Sequence, residues 1–240
     1  MSENPQNGSL PTVVLVHGAF AESASWNDVI VRLQDRGYTV IAAANPIRSV
    51  SGDAGFLASI FEAVEGPIVA VGHSYGGTVI TNALRDNVKA LVYVAGYAPE
   101  EAESSGELSA RYPGATLGET LWTVPLSDGS NDLYIRQEEY HQQFAEDVPA
   151  KRTALMAVGQ RPLRDVAVNG ASGPPAWKSI PSWFVFGELD KNIPAAAHRF
   201  MAERAGAREV VEIDGASHAV GVSHPEEVAD VILRAAKKVE

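Results

Sequence analysis

Apolar residues in this chain gather into short blocks, and the stretches between the blocks carry them at helical spacing. Thr12-Val13-Val14-Leu15-Val16 closes on His17-Gly18, Tyr38 to Ala43 follows, Ile68-Val69-Ala70-Val71 runs into Gly72, and Lys89 to Ala95 ends at Gly96. Blocks this short and this uniformly apolar predict strands buried on both faces. Trp26, Val29, Ile30 and Leu33 fall on one face of a helix over Trp26–Gln34, and Phe56–Val64 reads the same way until Gly66-Pro67 breaks it. A loop is expected between them through Pro46 and Gly52, and a helix over Thr78–Leu84. The pattern resumes with a strand at Ser182–Phe186, a helix at Ala195–Ala205, a strand at Glu209–Ile213 and a helix at Pro225–Lys238. Strands alternating with helices predict an α/β protein with a doubly wound, mostly parallel sheet.

From Pro99 to Pro175 the alternation stops. Glu, Ser, Gly, Pro and aromatic residues dominate there, with helices expected near Glu138–Glu146 and Ala150–Val158. Because strand patterns flank it, this segment is read as a helical cap, residues 99–178, inserted at the C-terminal edge of the sheet. Residues 11–98 and 179–240 form the core, and 1–10 a loose polar tail.

One hexapeptide sets the chemistry. Gly72-His73-Ser74-Tyr75-Gly76-Gly77 joins a buried strand directly to a helix, the context that turns G-x-S-x-G into a nucleophile elbow. Gly72 and Gly76 leave room for a turn so tight that Ser74 is strained and its hydroxyl lifted above the sheet. A serine hydroxyl needs a general base, and the base needs a group to orient it. In this chain order the base lies near the C-terminus. His218, in the small-residue loop Gly215-Ala216-Ser217-His218, is the candidate base, whereas His198 falls inside a predicted helix and His224 precedes Pro225, so both read as surface or capping residues. Asp190, after the strand ending at Phe186, is the candidate acid, with Glu188 as its rival. The oxyanion hole calls for two backbone N–H groups. Tyr75 supplies one, and Ala19 in the loop His17-Gly18-Ala19-Phe20 the other, with Phe20 as the nearby alternative. His17 and His73 read as bracing residues. Phe20 and the cap aromatics Trp122, Tyr140 and Phe144 are candidates for lining a substrate pocket. Those cap rings, with Tyr134 and Trp177, serve equally well to pack the cap onto the core.

These residues together resemble the α/β-hydrolase superfamily, and within it the small-esterase branch that includes plant methyl-ester esterases, hydroxynitrile lyases and bacterial carboxylesterases. The carrying segments are His17-Gly18-Ala19 with Trp26, Gly72 to Gly77, Val92 to Pro99, Gly187 to Asp190 with Ile193-Pro194, and Gly215 to His218. The resemblance implies an α/β-hydrolase fold and hydrolysis of small carboxylic esters through an acyl-enzyme on Ser74. The lyases of that branch carry a threonine where Gly18 stands and a lysine where Ala219 stands, so ester hydrolysis is the expectation. Cofactor-free perhydrolysis, C–C bond hydrolysis and a non-catalytic ligand-binding role are the alternatives.

Composition narrows the partners. A net charge of −11 argues against nucleic acid or an anionic membrane. The absence of cysteine removes thiol catalysis and thiolate metal sites. His141 with Glu138 and Glu139 lacks a second cluster, so no metal and no cofactor is expected. No apolar run approaches the roughly 18–20 residues of a membrane helix, and the polar start lacks the features of a signal peptide. The expectation is a cytoplasmic protein acting on a small-molecule ester, with a homodimer possible.

Overall fold

Blocks buried on both faces must lie side by side in a sheet covered twice, and that arrangement organises the molecule. The structure, a computed structural model, describes residues 10–239. The expected N-terminal tail, apart from Leu10, lies outside the described residues. Six strands, β1 (Thr12–Val16), β2 (Val40–Ala43), β3 (Ile68–His73), β4 (Val88–Val94), β8 (Ser182–Gly187) and β9 (Glu209–Ile213), form one parallel sheet in the order β2-β1-β3-β4-β8-β9. Every residue of β3 and β8 is buried. The order reverses direction after β2, which puts β3 at the centre and its C-terminal end in the crevice where open α/β sheets bind ligands.

The connecting helices of the core are α1 (Asn27–Gln34), α2 (Val50–Ala63), α3 (Tyr75–Asn82), α8 (Ala195–Arg204), α9 (Val220–Ser223) and α10 (Pro225–Ala236). Helix α2 starts six residues before the expected Phe56, because Ser49 accepts the Gly52 N–H as an N-cap. Gly52 and Gly55 are therefore inside the helix, on its exposed side, and not in a loop.

The segment between β4 and β8 carries α4 (Ser105–Ala110), α5 (Gln137–Phe144), α6 (Ala150–Gly159) and α7 (Asp165–Val168). Alongside them stands a three-stranded antiparallel sheet of β5 (Leu121–Pro125), β6 (Asn131–Ile135) and β7 (Leu163–Arg164), which the sequence reading of a helical cap did not include. Its local signal is Asp128-Gly129 between two short alternating runs, a hairpin turn in which Gly129 takes a φ of 86°. Among the described residues, no helix is long and apolar enough to cross a membrane.

Candidate active site

Sterics at the end of β3 create the elbow. Ser74 has φ 52° and ψ −123°, a strained backbone for a residue with a side chain. A methyl group on Gly72 would lie 2.5 Å from the Gly76 carbonyl oxygen, and one on Gly76 only 2.3 Å from that of Val16. Hydrogen bonds hold the bend from outside. Ser74 N–H donates to the carbonyls of Val94 and Ala95, while its own carbonyl accepts from Gly77 and Tyr97. Gly18 presses on the serine from the β1 loop, where a methyl group would sit 2.6 Å from Ser74 Cβ.

The carboxylate and the histidine come from the loops after β8 and β9, next to each other in the sheet. Asp190 Oδ1 accepts the N–H groups of Asn192 and Ile193 at 2.8 and 2.9 Å. Its Oδ2 accepts from His218 Nδ1 at 2.7 Å. Burial pushes the Asp190 carboxyl up, but the charge of His218 and the hydrogen bonds from His198 and His218 outweigh it and hold the group well below the carboxylate range. It is therefore an anion and can only accept, so Nδ1 of His218 carries a hydrogen. The Nε2 of that ring is buried and has no hydrogen-bond partner among the described residues. Glu188 turns away from this cluster: it is exposed, and its carboxylate accepts the Gly215 N–H at 3.0 Å, bracing the base of the histidine loop.

His73 ties that loop to the elbow. Its Nε2–H donates to the His218 carbonyl at 3.1 Å, and the two rings lie 4.8 Å apart. Burial lowers the His73 ring to about 3 and that of His17 to about 4, so both are neutral braces. His17 Nδ1–H donates to the Gly18 carbonyl at 2.9 Å.

One histidine differs from the sequence reading. His198 is not a surface residue: it is fully buried on α8, with Nε2 3.1 Å from Asp190 Oδ2. Its position in an amphipathic helix, where only depth of packing distinguishes core from surface, hid this from the sequence. His224 is half-buried at the N-terminus of α10, with Nδ1 3.5 Å from Asp147 Oδ2.

Around Ser74, Phe20 N–H is engaged with the Arg161 carbonyl at 2.8 Å. The N–H groups of Ala19 and Tyr75 donate to no backbone carbonyl among the described residues. Tyr75 reaches away with its hydroxyl to the buried carboxylate of Asp53 at 2.9 Å. Sequence reasoning missed Asp53, which also accepts the N–H groups of Arg48 and Ser49.

The cap aromatics divide. Phe144 is buried against four rings, with centroids 5.0 Å from His218, 5.0 Å from Tyr140, 6.0 Å from His73 and 6.4 Å from Phe20. Tyr140 is fully buried and donates its hydroxyl to the Phe20 carbonyl. Gln143, on the same helix, donates to Asn192 Oδ1 at 2.8 Å, and Asp147 accepts from Ser217 Oγ. Helix α5 and its end thus grip the loops that carry Ala19, Asp190 and His218 together. Trp122 does not belong to this cluster. It stands 58% exposed against Tyr134, over a hollow whose walls come from the cap alone. Trp177 donates to the Pro99 carbonyl, joining the two ends of the insertion, and its ring lies 5.6 Å from the Arg204 guanidinium of α8. Beside His73, an apolar hollow is walled by Trp26, Phe144, Met156, Ala219 and Val222. No group of three or more acidic or histidine side chains among the described residues is arranged to hold a metal ion.

A doubly wound parallel sheet with a strained serine between its central strand and the following helix defines the α/β-hydrolase fold. The chain belongs to the alpha/beta hydrolase family, whose description matches residues 13–231. It is 27% identical to esterase PIR7B of Oryza sativa subsp. japonica, over 95% of this chain and 96% of that one. It is 28% identical to a pyrethroid hydrolase of Sphingobium wenxiniae, over 92% and 85% of the two chains. The crystal structure of polyneuridine aldehyde esterase superposes with a TM-score of 0.80, covering 94% of this chain and 99% of that one at 18% identity, which is likeness of fold. Esterase PIR7B and polyneuridine aldehyde esterase fall in the small-esterase branch that the sequence motifs resemble.

Proposed function

We propose that the protein is a serine hydrolase that cleaves small carboxylic esters through an acyl-enzyme on Ser74. The observation that carries this reading is the 2.7 Å bond between His218 Nδ1 and the ionised Asp190, which leaves the buried Nε2 without a partner among the described residues, Ser74 included, on a loop that His73 ties to the elbow. The esterase and hydrolase names of the relatives support the same reaction class. In the first half-reaction Ser74 Oγ attacks the ester carbonyl and its proton passes to His218 Nε2. The oxyanion takes the N–H groups of Ala19 and Tyr75, the latter at the positive end of α3. Collapse breaks the bond to the alkoxy oxygen, which leaves as the alcohol with the proton from His218. Water then attacks the acyl-enzyme with His218 as base, and the carboxylic acid departs.

Ala219 next to the base leaves that wall apolar, as a hydrolase of uncharged esters needs and a cyanide-releasing lyase does not. The hollow walled by Trp26, Met156 and Val222 is apolar but holds only about 10 Å³, so it must widen before an acyl or alcohol group enters it. Ser74 is 7% exposed and His218 not at all, so an ester reaches the hydroxyl only after neighbouring side chains give way.

Ser74→Ala is the test. With the fold retained by circular dichroism, the variant should lose hydrolysis of p-nitrophenyl acetate and butyrate and labelling by a fluorophosphonate probe. Turnover equal to the parent's would refute the assignment. A panel adding peroxide with acetate, and diketones, separates ester hydrolysis from perhydrolysis and C–C cleavage.

A further inference from the structure

Asp190 Oδ2 is shared. His218 Nδ1 approaches it at 2.7 Å and His198 Nε2 at 3.1 Å, so two imidazoles donate to one carboxylate oxygen. The reaction described above uses only the first. His198 is fully buried, and its ring stacks on Phe186 of β8 with centroids 4.7 Å apart and planes 18° from parallel. Its Nδ1 is buried without a partner among the described residues. An ionised carboxylate only accepts, so Nε2 must carry a hydrogen. Burial lowers the His198 ring below its ordinary value, which leaves it neutral as the Nε2–H tautomer.

We propose that His198 is a positioning residue for the acid–base pair, its Nε2–H fixing the Asp190 carboxylate and drawing charge from the oxygen that holds His218. This rests on the reading of Ser74, Asp190 and His218 as nucleophile, acid and base. Stacking on Phe186 fixes the ring plane, and helix α8 fixes its height above the sheet. With Oδ1 held by two backbone N–H groups and Oδ2 by His198, the carboxylate cannot rotate away from His218 when that ring is protonated during turnover. The second donor also spreads the negative charge, so the imidazolium of His218 is held less strongly than it would be by a carboxylate with His218 alone. Activity therefore extends to lower pH than it otherwise would. The other ionisable groups facing this cluster are His73 from β3, Tyr97 from the loop after β4 and Glu212 from β9, the last of them paired with Arg199.

The test compares His198→Phe, which keeps the stacked ring and removes the donor, with His198→Gln, which returns an N–H. The readout is the pH profile of kcat/KM on p-nitrophenyl acetate, with Ser74→Ala as background. In His198→Phe the acidic limb should move to higher pH by roughly half a unit to one unit, as expected for withdrawing one hydrogen bond from a charged group. His198→Gln should bring it back toward the parent. A uniform loss of rate with coincident limbs would make His198 a packing residue and overturn the proposal. Nitrogen-15 spectra of the parent's histidine side chains supply a readout that needs neither variant nor turnover. A neutral Nε2–H tautomer for His198 supports the proposal, and an Nδ1–H tautomer overturns it. If the parent showed no Ser74-dependent turnover, the hydrolase reading would fall, and the spectra would still decide the hydrogen bond to Asp190.

Discussion

The hydroxyl of Tyr140, on cap helix α5, donates to the carbonyl of Phe20 across 2.7 Å, joining residues 120 positions apart. Phe20 itself has φ 60°, and its N–H is taken by Arg161 of the cap. The loop that carries Ala19 is thus held by the insertion above it through both backbone polar groups of one residue. The cap clamps this loop.

Tyr140→Phe should loosen that clamp. It leaves the buried Phe20 carbonyl without its donor, at a cost of about 1–3 kcal/mol. Thermal unfolding should shift down by several degrees, and kcat should fall more than KM rises. A variant with parental kcat would show that the loop is held by its own backbone.

Gly18→Ala should cost far more activity than stability. The added methyl would lie 2.6 Å from Ser74 Cβ and 2.8 Å from the His73 carbonyl oxygen, so the loop bearing Ala19 must back away. Losing an oxyanion donor lowers kcat by about 100-fold or more. Steady-state rates with an unchanged circular dichroism spectrum check this, and near-parental rates would place the oxyanion elsewhere.

Phe144→Ala and Trp122→Ala should separate the cap's inner and outer rings. Phe144 is buried against His218 and His73, and its truncation should cost about 3–5 kcal/mol and most of the activity. Trp122, half-exposed on β5, should change stability by less than about 1 kcal/mol and leave kcat/KM within about twofold. A large rise in KM for Trp122→Ala would return that ring to the substrate pocket.

Acid should weaken the protein well above the range of its carboxylates. His17 and His73 are held neutral by burial, at about 4 and about 3, whereas in the unfolded chain they titrate near 6.5. Between those values the unfolded state binds more protons, so stability is complete above pH 6.5 and declines as pH falls toward 4. Each such ring contributes a slope of up to about 1.4 kcal/mol per pH unit. Urea midpoints measured from pH 7.5 to 4.5 should fall, and His17→Gln should flatten the curve. A midpoint independent of pH across that interval would contradict the burial of both rings.

The elbow was legible because its physics is local. A tight bend between strand and helix demands small residues one place on either side of its neighbours, and Gly72 and Gly76 supply them in six consecutive positions. The order serine, aspartate, histidine could be read because each follows an apolar block. The choice of Asp190 over Glu188 could not be read with the same clarity. Both lie just beyond β8, and only the turn that gives Oδ1 to the Asn192 and Ile193 N–H groups points one inward and leaves the other exposed. The cap sheet escaped because strands of five residues with mixed exposure carry little periodic signal, although Asp128-Gly129 marked the turn.

By itself the chain specified a doubly wound parallel sheet, a strained serine at the end of its central strand, and the loops that would bear an acid and a base. Folding in three dimensions decided which side chains meet: His198 on Asp190, Phe144 on His218, Tyr140 on the Phe20 loop. The division has a physical cause. Turn sterics and side-chain periodicity act over a few neighbouring residues, whereas these contacts depend on strand order and on how an insertion lies over the sheet, which no short stretch of sequence records.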